Sequence, residues 1–227
     1  MLYFPQLSTG AVAQYPLVKR RVHRTVFNQL TDGRRIKLTD AAAQRVEWEI
    51  AFQALNDAER RKLEQFFASA EGKLREFTFL DPAGNLLAYS EDLAVGVWTR
   101  GPLLAATAGV ADPAGGNSAT KLVNTGPAEQ QIQQSIAAPG WFHYCFSFYA
   151  RSEGGTEVTA FRSTGGTVAA EPKRIGTAWR RLAVGGASES EAETVTFGVA
   201  IAPGGSVELY GFQVEPQPAP SSYVKTA

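Results

Sequence analysis

"WFHYCFSFYAR", Trp141 to Arg151, is the stretch whose reading decides the fold. Aromatic residues recur at alternate positions, so an extended chain places Phe142, Tyr144, Phe146 and Phe148 on one face. A face of that kind has to be buried, which makes this a central strand of a β-core. Trp141, His143, Cys145, Ser147 and Tyr149 fall on the other face, and the alternation assigns that face to the outside. Further short strand candidates flank it, among them "ATKLVNT", "QQIQQSI", "EVTAFRS", "WRRLAVG", "ETVTFGVAI" and "SVELYGFQVE". They recur every 10–15 residues, roughly, with Gly, Pro and Ser between them, which predicts an antiparallel sandwich.

Upstream the pattern changes. "RVEWEIAF" alternates with Val46, Trp48 and Ile50 on one side and Arg45, Glu47 and Glu49 on the other. "NQLTDGRRIKL" sets Asp-Gly between apolar positions, a hairpin signal. One helix is expected, about Asp57 to Ala70. Asn56 caps it, Glu59 is the reciprocal partner, Leu63, Phe66, Phe67 and Ala70 form the buried stripe, and Gly72 is the left-handed stop. "LREFTFLDP" then alternates again as a strand closed by Asp-Pro.

The fold class expected is therefore mainly β: a β-rich module with one helix over residues 1–82, then an antiparallel jelly-roll sandwich over 85–227. "EFTFLDPAGNLLAYSEDLAVGVW", Glu76 to Trp98, reads as the seam, with Ala83 and Gly84 as the whole connector and Trp98 or Tyr89 packing across the junction. Lys and Arg outnumber Asp and Glu by 13 to 10 in residues 1–82 and are outnumbered 9 to 12 after them, so the charge shifts at the same place. No internal repeat is evident, and "EPQPAPSS" near the C-terminus should run extended over the surface.

Composition removes several function classes. The 227 residues are 44% hydrophobic with zero formal net charge, which supports a real core and argues against general nucleic-acid binding. Cys145 is the only cysteine, so an intramolecular disulfide framework and a thiolate-rich zinc site are excluded. No run of about 18 apolar residues exists, so no helix is expected to span a membrane. "MLYFPQLSTG" lacks the basic segment and apolar core of a secretory signal, and folding in a cytoplasm is expected.

Candidate catalytic groups are weak. Glu47 and Glu49 share a strand face about 7 Å apart, a tolerable spacing for acid–base work, but Arg45 beside them marks an ordinary solvent face. His143 and Cys145 point the same way yet stand too far apart for a direct hydrogen bond, and no orienting third group is visible. His23 is the other histidine, too few for a His-based metal cluster. It lies in "KRRVHR", a basic run better suited to a subunit contact than to a polyanion. No enzyme activity is expected.

Two resemblances extend this reading. "FPQLSTGAVAQYPL", "RTVFNQLTDGRRIKL", "EWEIAFQALNDAERRKLEQFF" and "EGKLREFTFLDP" occur in an order that resembles the N-terminal module of tail proteins from tailed bacteriophages and related gene-transfer particles. The resemblance covers most of residues 4–82 and implies a non-catalytic ring module at a tail or baseplate. "NLLAYSEDL", "YCFSFYAR", "TAWRRL" around Trp179 and "LYGFQVEPQPAPSSYVKT" resemble a jelly-roll module of the carbohydrate-binding type, over about residues 85–226. That implies fold more securely than ligand. It also raises a structural calcium, with Glu91, Asp92 or Asp112 supplying oxygens; no other cofactor is expected.

Sugar binding on a sandwich needs exposed aromatic platforms with polar neighbours. Trp141, His143 and Tyr149 share the outward-reading face of one strand and are the glycan candidates, while Trp98 and Trp179 read as packing residues. The expected function is a structural component of a phage tail or tail-like particle, located in the virion tail. Its partners would be other tail proteins and copies of itself in a ring, with a jelly roll facing a host-surface glycan. A free carbohydrate-binding or polysaccharide-processing accessory protein is the alternative.

Overall fold

Phe146 and Phe148 point inward and stack on Phe212, with ring centroids 5.6 and 5.5 Å apart. Phe197 meets Phe146 at 5.9 Å from the facing sheet, and Trp98 meets Phe212 at 5.1 Å. The computed structural model describes residues 1–227, excepting the side chains of residues 39, 41 and 42. The chain forms two compact units: Met1–Val12 with Arg61–Ala227, and Ala13–Arg60.

The larger unit is a β-sandwich of two five-stranded antiparallel sheets. One sheet runs β10 (Arg180–Gly186), β7 (Tyr144–Arg151), β12 (Ser206–Glu215), β5 (Ala119–Asn124), β4 (Leu104–Val110). The other runs β3 (Thr99–Arg100), β6 (Gln130–Ala137), β11 (Thr194–Ile201), β8 (Thr156–Thr164), β9 (Thr167–Ile175). The mainly β class and the antiparallel sandwich expected from the alternation are what forms. β12 keeps both Tyr210 outside and Phe212 inside because its register shifts between Tyr210 and Gln213. Gly211 supplies the positive φ of 63° at that bulge.

The outward-reading face of β7 is not open to solvent. Cys145 and Ser147 are buried. Residues 216–227 lie along this sheet as a strap. Arg181 donates to Ser147 Oγ at 2.9 Å and to the Ser221 carbonyl. The Gln213 side-chain oxygen takes the Val224 N–H at 2.7 Å. "EPQPAPSS" does not run extended over the surface as expected: the chain bends at residues 216–219, Glu215 and Gln217 are buried, and its continuation is a structural cover.

The expected seam at residues 83–84 is not where the compact units divide. Tyr3, Val12 and Leu80 belong to the same buried cluster as Leu87, Trp98 and Phe146. The strand read in "LREFTFLDP" reduces to one bridge, Tyr3 to Thr78, with Phe4 N–H on the Thr78 carbonyl at 2.9 Å. Asn85 ties the opening of the sandwich to its last strand. Its side chain accepts from the N–H groups of Leu87 and Val214 and donates to the carbonyls of Phe212 and Val224. Trp98 packs in the core and not across a junction; Tyr89 is 39% exposed.

In the smaller unit β1 (Val18–Gln29) pairs antiparallel with β2 (Arg35–Glu49). The Asp-Gly turn forms: Gly33 has φ 83° and donates to Leu30 at 3.0 Å. Among the described residues no third strand joins either edge. The alternation in "RVEWEIAF" predicts one buried face, yet Val46 is exposed, because no layer of this unit covers it.

Helix α1 runs Asp57–Ser69, and the unit boundary falls within it, between Arg60 and Arg61. Its cap is the expected one. Asn56 Oδ1 accepts from Ala58 and Glu59 N–H at 2.9 Å, and Glu59 returns a bond to Asn56 N–H at 3.1 Å. The stripe is narrower than expected: Ala70 is buried and Phe66 packs edge-on to Phe4 and Phe77, but Phe67 is exposed. Among the described residues no helix is long and apolar enough to cross a membrane.

Candidate functional site around Trp141

The approach to β7 is a tight turn. The Phe142 and Tyr144 side of it is anchored by Tyr144, whose hydroxyl donates to the Pro139 carbonyl at 2.8 Å. Gly140 is required there, since a Cβ would stand 2.4 Å from Thr164 Oγ1 and 2.8 Å from the Ser190 carbonyl. Regular strand begins only at Tyr144, so Trp141 and His143 sit on the turn and not on the strand face that alternation assigned them. Trp141 swings outward and is 42% exposed. Its ring is held edge-on by Tyr3 (6.4 Å, 85°) and by Phe142 (6.2 Å, 81°).

The N-terminal segment completes the site. Gln6 is buried; it accepts the His143 N–H at 2.7 Å and donates to the His143 carbonyl at 2.8 Å. Lys62, from α1, donates to the Gln6 carbonyl at 2.9 Å. Gly10 turns the chain at φ 82°, and a Cβ there would stand 2.7 Å from His143 Cβ. The result is a recess of about 210 Å³ lined by Gln6, Ser8, Lys62, Trp141, Phe142 and His143. Burial, with the charge of Arg162, holds the His143 imidazole below its ordinary range, so it is neutral at pH 7. An indole plate beside a hydroxyl, an ammonium and a neutral imidazole can take a polyol, with C–H groups on the ring and hydroxyls on the polar atoms.

Tyr149 is not part of this recess. It packs with Tyr210 (5.9 Å) and Tyr223 (6.4 Å), with the Arg181 guanidinium 5.7 Å over its ring, beneath the strap. Seven residues separate it from Trp141, and the strand from Tyr144 to Tyr149 alone spans roughly 17 Å. Gln6, Ser8 and Lys62 were not singled out from the sequence, and nothing local marks them: they reach Trp141 only through tertiary packing.

The other candidate chemistries fare as follows. Glu47 and Glu49 are exposed and paired with Arg45 and Arg20. Burial, with the charge of Glu215, pushes the Cys145 thiol up to about 11, so it is no nucleophile. The oxygens expected to hold calcium are occupied by protein donors. Asp112 accepts from the N–H groups of Ser118, Gly116 and Ala114, which hold its carboxyl below the usual range. Burial would raise the Glu91 carboxyl, but Lys225, Tyr210 and Tyr223 outweigh it and hold it low. Asp92 caps the Ala94 N–H at 3.1 Å. Among the described residues no group of three His, Cys, Asp or Glu is placed to hold a metal ion. The "KRRVHR" run lies on β1, with Arg20 on Glu49, Arg24 on Asp40 and Lys19 4.7 Å over the Trp48 ring.

No family model matches the sequence, and no curated protein does. Solved structures match the sandwich at low identity. The enzymatically active domain of bacteriophage CBA120 tailspike protein 4 is 14% identical over 63% of this chain, with a TM-score of 0.47, and the match spans 24% of that chain. TmCBM61, solved with β-1,4-galactotriose, is 14% identical over 58% of this chain and 98% of its own, at 0.46. The C-terminal family 22 carbohydrate binding module of Clostridium thermocellum Xyn10B is 18% identical over 60% of this chain and 95% of its own, at 0.47. Likeness at this level concerns the fold alone.

Proposed function

We propose that this chain is a non-catalytic structural component of a phage tail or tail-like particle, at home in the virion tail. It docks through its hairpin unit, and its sandwich takes a host-surface glycan at the Trp141 recess. The observation that carries the docking half is the open ribbon β1–β2. A lone two-stranded ribbon is marginal in water, and uncapped edges invite pairing with another chain. This one carries Phe27, Ile36, Leu38 and Val46 exposed, and residues 18–49 hold eight Lys or Arg against four Asp or Glu. The remaining residues then hold 14 against 18, so the ribbon and the rest of another copy are opposite in charge. Ring symmetry multiplies weak contacts of that kind.

A free carbohydrate-binding accessory protein is the second reading. In its favour, the Trp141 recess is complete within residues 1–12 and 61–227 and needs nothing from the ribbon. Light scattering and negative-stain microscopy separate the two. Rings, or uptake into particles, that are lost in a Phe27→Glu/Leu38→Glu variant support the tail reading. A protein that stays monomeric alone and with tail partners, yet binds glycan, supports the second.

A further inference from the structure

Tyr89 is a bulky residue in the left-handed region, φ 50°, a conformation that costs free energy in any residue with a Cβ. The surroundings hold it there from both sides. Its carbonyl accepts from Trp98 Nε1 at 3.0 Å and from Asp92 N–H at 3.2 Å. Gln134 clamps Ala88 with two bonds, 2.8 and 3.0 Å, and Ser90 is tied to Thr226. The Tyr89 ring so placed reaches solvent. Among the described residues it has no aromatic partner, its hydroxyl has no hydrogen-bond partner, and it is 39% exposed.

It fronts a cavity of about 380 Å³, inside the span of roughly 300–1,000 Å³ typical of small-ligand sites. Glu91, Asp92, Asn117, Ser118 and Lys225 supply the polar wall. Glu91 is fixed by the hydroxyls of Tyr210 and Tyr223 (2.9 and 3.2 Å) and by Lys225 Nζ (2.6 Å). This cavity shares no residue with the Trp141 recess: its lining lies on β4, on residues 117–120 at the start of β5, on residues 89–92 and on the end of the strap.

We propose that the Tyr89 cavity is a second carbohydrate subsite, taking a neutral pyranose with its C–H face on the Tyr89 ring and its hydroxyls on Glu91, Asp92 and Asn117. The Lys225 charge is spent on Glu91 and Asp92 leaves the wall net negative, so uronic and sialic acids are excluded. The subsite deepens the glycan reading above and rests on it; two separate subsites make the module bivalent toward a polymer.

The test uses the full chain with xylohexaose, cellohexaose and β-1,4-galactotriose as probes, read by calorimetry and saturation-transfer NMR, alongside galacturonic acid oligomers. Tyr89→Gly removes the ring and relieves the left-handed strain, so it should melt at or above the wild-type temperature while weakening neutral-sugar binding fivefold or more. Trp141→Ala is the parallel variant. A well-folded Tyr89→Gly protein that binds within fivefold of wild type, while Trp141→Ala loses binding, overturns the Tyr89 subsite and leaves the glycan reading standing. Loss in Tyr89→Gly with Trp141→Ala unchanged upholds the subsite and removes the Trp141 recess. Failure of the wild type to bind any neutral probe overturns both, and tighter binding of the uronic acids overturns the assigned class.

Discussion

The side-chain amide of Gln6 and the main chain of His143 exchange two hydrogen bonds, 2.7 and 2.8 Å long, across 137 residues of sequence. Gln6 thereby acts as one rung of a strand beside the start of β7. It also donates to the Pro216 carbonyl at 3.1 Å, so one buried amide holds the N-terminal segment, the Trp141 turn and the start of the C-terminal strap. Truncating it leaves buried main-chain groups without partners, and each of those costs about 1–3 kcal/mol. Gln6→Ala should lower stability by about 2–3 kcal/mol and shift Trp141 emission to the red as the turn loosens. Chemical denaturation followed by tryptophan fluorescence checks both.

Stability should also depend on pH through His143. Its folded-state pKa lies below the unfolded value, so between the two the unfolded chain binds the extra proton and stability rises with pH. The melting temperature is therefore expected to fall as pH is lowered from 7 toward 5, before the carboxylates of Glu91 and Asp112 lose their bonds at more acid pH. A His143→Gln variant should show a flatter profile over pH 5–7. Equal slopes in both proteins would assign the effect to other groups.

Asn85 is expected to be a stability centre, since it serves four backbone groups that belong to the opening segment, β12 and the strap. Asn85→Ala should cost about 2–4 kcal/mol, at the upper end for a single polar deletion because several partners lose a bond together. Hydrogen exchange should then speed up at Val214 and Val224, and a change confined to residues 85–87 would show the strap to be held elsewhere.

Limited trypsin digestion should cut first at the ribbon tip, at Arg34 or Arg35, which are exposed beside a five-residue turn. Residues 81–84 should resist: Asp81 caps Ala83 N–H at 2.9 Å, and Gly84 N–H bonds the Asp81 carbonyl. Thermolysin, which does not require a basic residue, should respect that junction as well. Early cleavage there by thermolysin would contradict the fold as described.

Local chemistry was legible in the chain. The Asn56–Glu59 cap, the Gly33 turn and the inward run of Tyr144, Phe146 and Phe148 all rest on neighbours in sequence, where spacing fixes geometry. Trp141 is exposed, as expected, but because the turn before β7 swings it outward and not because of the strand alternation. Gln6 and Lys62 were not legible, because a glutamine and a lysine carry no local sign of what they will touch. Tyr149 is covered and Tyr89 is exposed, the reverse of what their sequence positions suggest. Tyr149 is covered by residues that follow it by more than 60 positions, and Tyr89 is turned outward by a backbone angle that its sequence does not favour.

What the sequence determined by itself is the class of element at each place: alternation of period two for the sandwich, period 3.6 and a cap for the helix, Asp-Gly for the ribbon tip. Only the tertiary structure decided which of those elements are covered. Alternation says that a face is apolar; whether another layer arrives to bury it depends on contacts between distant segments. Val46 alternates as well as Phe146 does, yet it meets no second layer in its unit, while the N-terminal segment of residues 1–12 joins the sandwich core across the whole intervening ribbon.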